Sequence, residues 1–467
     1  MHIKLAATIV IITLCSCVSH PPDQAIGDVL NLSPSNWSAT KAGQSGVDSA
    51  WVKRFGDTQL NQLVAEALIS NQDIKIASER VYRASQAAGV SDALSKPQVD
   101  LSLSSNRNKL NFIGFPFGGS TISETNGVSL GVSWEPDLWG RYRAGKSAAI
   151  AEWQAGGAEY RAARASLAAQ VCKAWFALAE AREQLTLAQE ALSIRKKTEG
   201  SVQERFERDL RAEGGSASQL RLAQTDVATT KSDLSAREGN LESARRRLEL
   251  LLGRYPSARI VGKASLPRAP SRPPSGVPSG LLLRRPDIIA AERRYAASSK
   301  SIKEAQLAVF PSFTITGSGG TTTESLSNIL NSDFGVWAIG GDIVAPILTG
   351  GRIRNEIRVR KSSQREALAT LHKTVINAFG EVEEALAVER LLTKREGEIK
   401  EALDLAREAS TAAEEEFRRG SGDLLTLFSA QTRSIQLDSQ YTSLKHLRLT
   451  NRVDLHLALG GGFKLNR

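Results

Sequence analysis

Two periods divide this chain. Strict alternation of apolar and polar positions occurs in "PQVDLSLSSNR" (97 to 107), with Val99 and Leu101 against Asp100 and Ser102, and in "NGVSLGVSWEP" (126 to 136). In the second, Val128, Leu130, Val132 and Trp134 oppose Ser129, Gly131, Ser133 and Glu135. It returns in "PSFTITG" (311 to about 318), where Phe313 and Ile315 alternate with Thr314 and Thr316. A fourth stretch, about 334 to 346, is apolar on both faces in places and leaves its register open. Period two predicts four strands with one greasy and one polar face. The longer segments instead repeat every seven residues: Val171, Leu178, Leu185 and Leu192; Leu220, Val227, Leu234, Leu241 and Leu248; Leu371, Ala378, Ala385, Leu392, Ile399, Ala406 and Ala413. Heptads with many alanines predict helices packed closely by coiled-coil seams, as pairs over about 140–252 and 350–459. A helix from about 141 to 210 reaches roughly 100 Å, far beyond what a globular core requires.

The text is written twice. A shift of 214 lays Asp73-Ile74 on Asp287-Ile288, Arg80 on Arg294 and Pro97 on Pro311, and a shift of 211 lays Gly140-Arg141 on Gly351-Arg352 and Phe206 on Phe417. Each half predicts helix, strand, loop, strand and two long helices. Seven prolines between 256 and 286 mark a linker that is neither regular helix nor sheet. The expected organisation is a leader over 1–16, an N-terminal segment over 17–52, a first repeat over 53–255, the linker over 256–280, a second repeat over 281–463 and a tail over 464–467.

Strands of nine to eleven residues with one apolar face suit a tilted membrane barrel. A sheet in lipid must close, because an open edge leaves backbone groups unpaired in hydrocarbon. Four strands cannot close; two chains give eight and a filled barrel, three give twelve and an open lumen. The alternative is an ordinary half-buried sheet packed on helices. The predicted fold is mainly α, with long coiled-coil helices in a periplasmic α-barrel and four strands per chain in a twelve-stranded trimeric β-barrel.

The amino terminus changes the compartment. Lys4, the apolar run "LAATIVIITL" and "LCSC" read as a secretory signal, too short to span a bilayer. Leu14, Ser16 and Cys17 resemble the bacterial lipobox, which implies acylation of Cys17 and attachment to outer-membrane lipid. Cys172 then remains as a single thiol on a helical face, expected to be packed in a core. The formal charge of +10 suggests nucleic acid, yet Lys and Arg are interspersed with Glu and Asp along helices, as on solvated faces, and no nucleic-acid partner is expected.

Further motifs carry a family resemblance: "RRPDIIAAERR" before "FPSFTITGSGG", "SWEPDLWGRYR" (133 to 143), "PILTGGRIR" (346 to 354), "FRRGSGDLLTLFSAQ" (417 to 431) and "LALGGGF" (457 to 463). In this order they resemble the TolC-like outer-membrane factors, specifically their NodT-type lipoprotein efflux branch, across nearly the whole mature chain. The resemblance implies a homotrimer that docks onto a periplasmic adaptor and an inner-membrane pump and passively exports drugs or other small molecules. It also implies a constriction at the turn "RRGSGDLL", where Phe417 and Leu425 match constricting positions. Ser429 and Thr432 stand where the family often carries charges. Asp423 is either an acidic member of that gate or the N-cap of the returning helix.

Other chemistry finds little support. "GRYRAGKS" (140 to 147) fits the nucleotide-binding P-loop pattern, but Arg, Tyr, Arg and Ala read as helix rather than as a phosphate cradle. "GSGG" (317 to 320) reads as a loop leaving the barrel. The five histidines lack metal-ligand spacing, and no nucleophile and base can be paired, so neither cofactor, metal nor enzyme activity is expected. The rival functions are a periplasmic coiled-coil adaptor or scaffold lipoprotein without a pore, and an outer-membrane channel of type I secretion.

Overall fold

The computed structural model describes residues 34, 37–39, 51–111, 119–211, 216–273 and 278–461. Its helices of more than two turns are α1 (Thr58–Ser70), α2 (Gln72–Ala93), α3 (Arg141–Arg211), α4 (Ala217–Leu251), α5 (Pro286–Leu307), α6 (Arg352–Arg419) and α7 (Leu424–Ala458). The strands are β1 (Gln98–Asn111), β2 (Ser120–Trp134), β3 (Ser312–Thr323) and β4 (Gly335–Val344). The duplication is visible in element lengths. Helices α2 and α5 both have 22 residues, and α4 and α7 both have 35. Gly140 and Gly351, superposed by the 211 shift, both take φ +84° directly before a long helix.

The strands form one antiparallel sheet in the order β1-β2-β3-β4. Each edge element continues into a helix, and the helices neighbour one another in the same order: α2 on α3, α3 on α5, α5 on α6. Helices α4 and α7 fold back along α3 and α6 as the second arms of two hairpins. At 71 residues, α3 alone is about 105 Å long.

No heptad position named above is exposed, and Val171, Leu178, Leu241, Leu248, Leu371, Ala378, Ala385, Ala406 and Ala413 are buried. One core gathers Trp51, Phe55, Trp175, Phe176 and Leu178 with the end of α4, and its counterpart in the second repeat gathers Leu371, Val375, Val382 and Leu386 with Trp37 and Leu455. Cys172 sits fully buried in the first, and burial pushes its thiol well above the ordinary range, which removes any reactive role. The proline-rich linker is tied to these cores: Glu249 accepts the amides of Ala258, Arg259 and Ile260, and Glu183 accepts that of Leu266. Burial opposes ionisation of Glu249, but those three amides hold its carboxyl below the usual range. Glu389 on α6 forms a buried pair with Arg452 on α7 and accepts from Asn451 at 3.2 Å.

Two expectations need correction. Gly317 to Gly320 are not a loop but the middle of β3, hydrogen-bonded between β2 and β4. At Gly320 a Cβ would lie 2.0 Å from the Val128 carbonyl oxygen, so the close approach of β2 itself requires glycine. The strands also run longer at their outer ends than alternation indicated, to Asn111 in β1 and back to Ser120 in β2: the ladder continues through polar residues, with Arg107 paired to Glu124 across it at 2.8 Å.

Candidate functional site

The register sorts the sheet into two faces. Directly opposed residues share a face, so Leu101 lies with Leu130, Leu130 with Gly319 and Gly319 with Trp337. Val99, Leu103, Val132, Phe313, Ile315, Ile339 and Ile343 fall on that same face. The other carries Asp100, Ser102, Ser129, Ser133, Thr314, Thr316, Ser318 and Asp342. The register of β4, open in the sequence, therefore directs Trp337, Ile339 and Ile343 to the apolar side. Leu101, Leu103, Trp337 and Ile339 are 74–80% exposed. At about 1.5–3 kcal/mol per side chain, leaving such a face in water is untenable; lipid is the medium that suits it. Among the described residues no helix is long and apolar enough to cross a membrane.

At the inner rim the aromatic residues gather. Trp139 stacks on Phe310 with centroids 5.1 Å apart, lies 6.3 Å from Phe313, and donates to the Pro311 carbonyl at 2.6 Å. Trp134 donates to the Ser95 carbonyl at 3.0 Å. Trp side chains with one polar tip belong at a membrane–water boundary. The P-loop-like segment lies here as well, and from Arg141 onward it is helix. The amides of Tyr142 and Arg143 donate to Asp137, and Lys146 pairs with Asp92 at 2.6 Å. Hydrogen bonds from Lys146 and Lys96 lower the Asp92 pKa to about 2. Nothing in the segment is left to cradle a phosphate.

At the far end, α6 stops at Gly420, whose φ of +84° favours glycine, and a Cβ on Gly422 would lie 2.9 Å from the Phe417 amide nitrogen. Asp423 is the N-cap of α7: its carboxylate accepts the amides of Leu425 at 2.8 Å and Thr426 at 3.0 Å. The Thr426 side chain and these amides hold its pKa below the ordinary value. Phe417 departs from expectation. It is buried with Val202, Ala223, Ala413, Leu424, Leu427 and Phe428, under the Arg205 guanidinium at 3.9 Å from its ring centroid. A side chain enclosed between helices supports the turn and cannot line an aperture. Leu425 is 68% exposed, and Ser429, one helical turn on, shares its face with Arg433.

Sequence reasoning missed Arg195. This buried residue of α3 donates to Gln431 at 2.9 Å and Thr432 at 2.6 Å, pairs with Asp226 at 3.6 Å and lies over Phe428. Burial lowers its pKa, against the opposing charge of Asp226. Its signal was an arginine at a position otherwise reading as seam, with Thr432 replacing a charge opposite. Cys17 lies outside the described residues.

A sheet with a lipid-suited face and two open edges, continued strand by strand into a layer of helices whose longest member reaches about 105 Å, defines the class: a segment of a membrane barrel and its tunnel. Residues 63–254 and 277–461 match the outer membrane efflux protein family, and the chain belongs to it. It is 28% identical over 466 residues to the cation efflux system protein CusC of Escherichia coli O6:H1, covering 99% of both chains. It is 28% identical to the pyoverdine export outer membrane protein OpmQ of Pseudomonas putida, over 99% of this chain and 98% of that one. Among solved structures the outer-membrane channel OprN superposes with a TM-score of 0.83 at 27% identity, covering 92% of this chain and 97% of the other. The protein is an efflux channel component of the outer membrane, in a family of channels rather than enzymes.

Proposed function

We propose that three copies close into a passive duct, an outer-membrane component of a tripartite system that meets a periplasmic adaptor and an inner-membrane pump. The observation that carries this reading is the coincidence of edges: β1 and β4 each leave one side unpaired, and the helices continuing them, α2 and α6, are the outermost in the helical layer. One association satisfies both layers, and three chains give twelve strands around an open lumen. A scaffold without a pore has no use for such a sheet. A lipid anchor at Cys17 would tether the chain to the outer membrane. The Ser, Thr and Asn side chains of the polar face suit small hydrated solutes, and the relatives' different cargoes, cations for one and pyoverdine for another, fit a duct whose selectivity lies in its partners.

The gate we assign is the exposed face of α7 at its start. Three Leu425 side chains around a threefold axis exclude water from a narrow mouth, and Ser429 forms the next ring. Asp423 caps the helix that presents them, and Phe417 fixes the turn from behind. Purified protein in planar bilayers tests the duct: small cation-conducting steps with long closed periods are expected, and Leu425→Ser should raise basal conductance. Silent bilayers with correctly inserted protein contradict the duct, and an unaltered Leu425→Ser channel moves the constriction elsewhere.

A further inference from the structure

We propose that the junction between sheet and helices is a binding site for the phosphodiester headgroup of an anionic glycerophospholipid in the periplasmic leaflet. This rests on the membrane reading of the sheet. A cavity of ≈230 Å³ opens there, lined by Arg141, Arg352, Trp139, Phe310 and Phe313. It lies where the apolar face ends, and its flanks remain greasy: Leu138 is 56%, Ile347 91% and Leu348 93% exposed. Such surroundings offer acyl chains contact on one side and a cation on the other.

The charge inventory selects the sign. Glu135 and Asp137 also line the cavity, but both are engaged. Glu135 accepts from Arg141 at 2.8 Å and from the Tyr142 hydroxyl at 2.7 Å, while Asp137 holds two backbone amides and the Arg143 guanidinium at 3.4 Å. Arg352 and Arg354 in the second repeat have no ion pair or side-chain hydrogen bond with any described residue. The duplicated Gly-Arg-x-Arg thus has two fates. At 140–143 its arginines are spent on carboxylates of the preceding turn; at 351–354 that turn reads "PILTG", without an acid. The uncompensated Arg352 guanidinium lines the cavity at the level of lipid phosphates, while the carboxylates beside it are already paired with arginines. A free phosphate would satisfy the arginine but not the apolar flanks.

Native mass spectrometry of the intact protein in mild detergent, titrated with phosphatidylglycerol or phosphatidylcholine, tests the site. The expected result is selective retention of phosphatidylglycerol, one per chain, weakened about tenfold or more in Arg352→Gln/Arg354→Gln and retained in Arg352→Lys/Arg354→Lys and in the control Lys394→Gln. Inorganic phosphate should not displace the lipid. Equal binding of the two lipids, unchanged binding by the glutamine variant, or displacement by phosphate would overturn the proposal. The same spectra report subunit number: trimers without lipid refute this site alone, absence of trimers refutes the assembly, and trimers lost only in the glutamine variant assign these arginines to a subunit contact instead.

Discussion

The helices and the sheet of one chain handle apolar side chains in opposite ways. Around Trp175 and Leu178 the helices enclose their hydrophobic residues within the chain, and both are essentially inaccessible. In the sheet, Leu101 and Ile339 remain open although they sit in regular strands, each paired with its one neighbour. Backbone pairing within the chain is therefore in place, with one edge of β1 and one of β4 left open, in a region where side-chain burial has barely begun. The difference teaches which interactions belong to the protomer and which await a neighbour or lipid: the helices can fold before assembly, whereas the sheet acquires its main stabilisation from insertion and closure.

The largest effect is expected in the helices. Trp175→Ala removes a fully buried ring and the indole N–H that donates to Asp57 at 2.9 Å, so a loss of about 3–5 kcal/mol is expected, visible in thermal unfolding before any membrane is added. From the sheet side, Leu101→Arg should cost about 2–4 kcal/mol if that position lies near the bilayer midplane. Its signature differs: helical content and solubility persist, while insertion into lipid falls. A variant that instead unfolds the helices would show that the two regions are not separately stabilised.

Smaller effects sharpen the boundary between the hairpins. Helix α3 meets α7 through polar contacts, among them Glu180 with His446 at 2.8 Å and Ser443 at 2.8 Å, and Gln184 with the Ser439 carbonyl at 2.9 Å. Arg195→Gln should loosen this seam at its gate end and raise basal conductance less than Leu425→Ser does; unchanged conductance would show that the link to Gln431 and Thr432 does not restrain the turn.

The least effect expected is a pH dependence. Burial pushes the Glu180 carboxyl up, yet the hydrogen bond and charge of His446, with Ser443 and Arg237, leave it below its ordinary value. A depressed carboxyl contributes stability above its unfolded pKa of about 4.3 and loses it as pH falls through the lower folded value. Thermal midpoints measured from pH 7 to 3 should decline in wild type below about pH 4, with a shallower decline in Glu180→Gln. Parallel curves would remove Glu180 from the seam.

Much of this architecture was legible in the residues. The heptads at Val171 to Leu248 and Leu371 to Ala413 named the buried seams, since a period of seven has few other uses. The shift of 214 anticipated that α2 and α5 match in length and both lead into strands. What alternation could not convey was the strand path through "GSGG": glycine signals both turns and close strand approach, and only the neighbouring backbone at Val128 decides between them. The register of β4 escaped for a related reason, because Val336 and Val344 place apolar groups on its polar face. At the closing turn, Asp423 carried both signals, and the hydrogen bonds establish the cap. Phe417 and Leu425 are equally apolar in sequence; helical phase within a four-helix contact separates the buried one from the exposed one. Arg195 was hidden because its hydrogen-bond acceptors Gln431 and Thr432 lie more than two hundred residues away.

One chain supplies one third of a closed pore in the assembly proposed above. The most direct test of that assembly is the native mass of the detergent-solubilised protein, compared with the mass of a single chain. Three chains per particle, lost when β1 or β4 is deleted, is the predicted result. A stable monomer, or a dimer whose eight strands would fill their own barrel, would contradict the account.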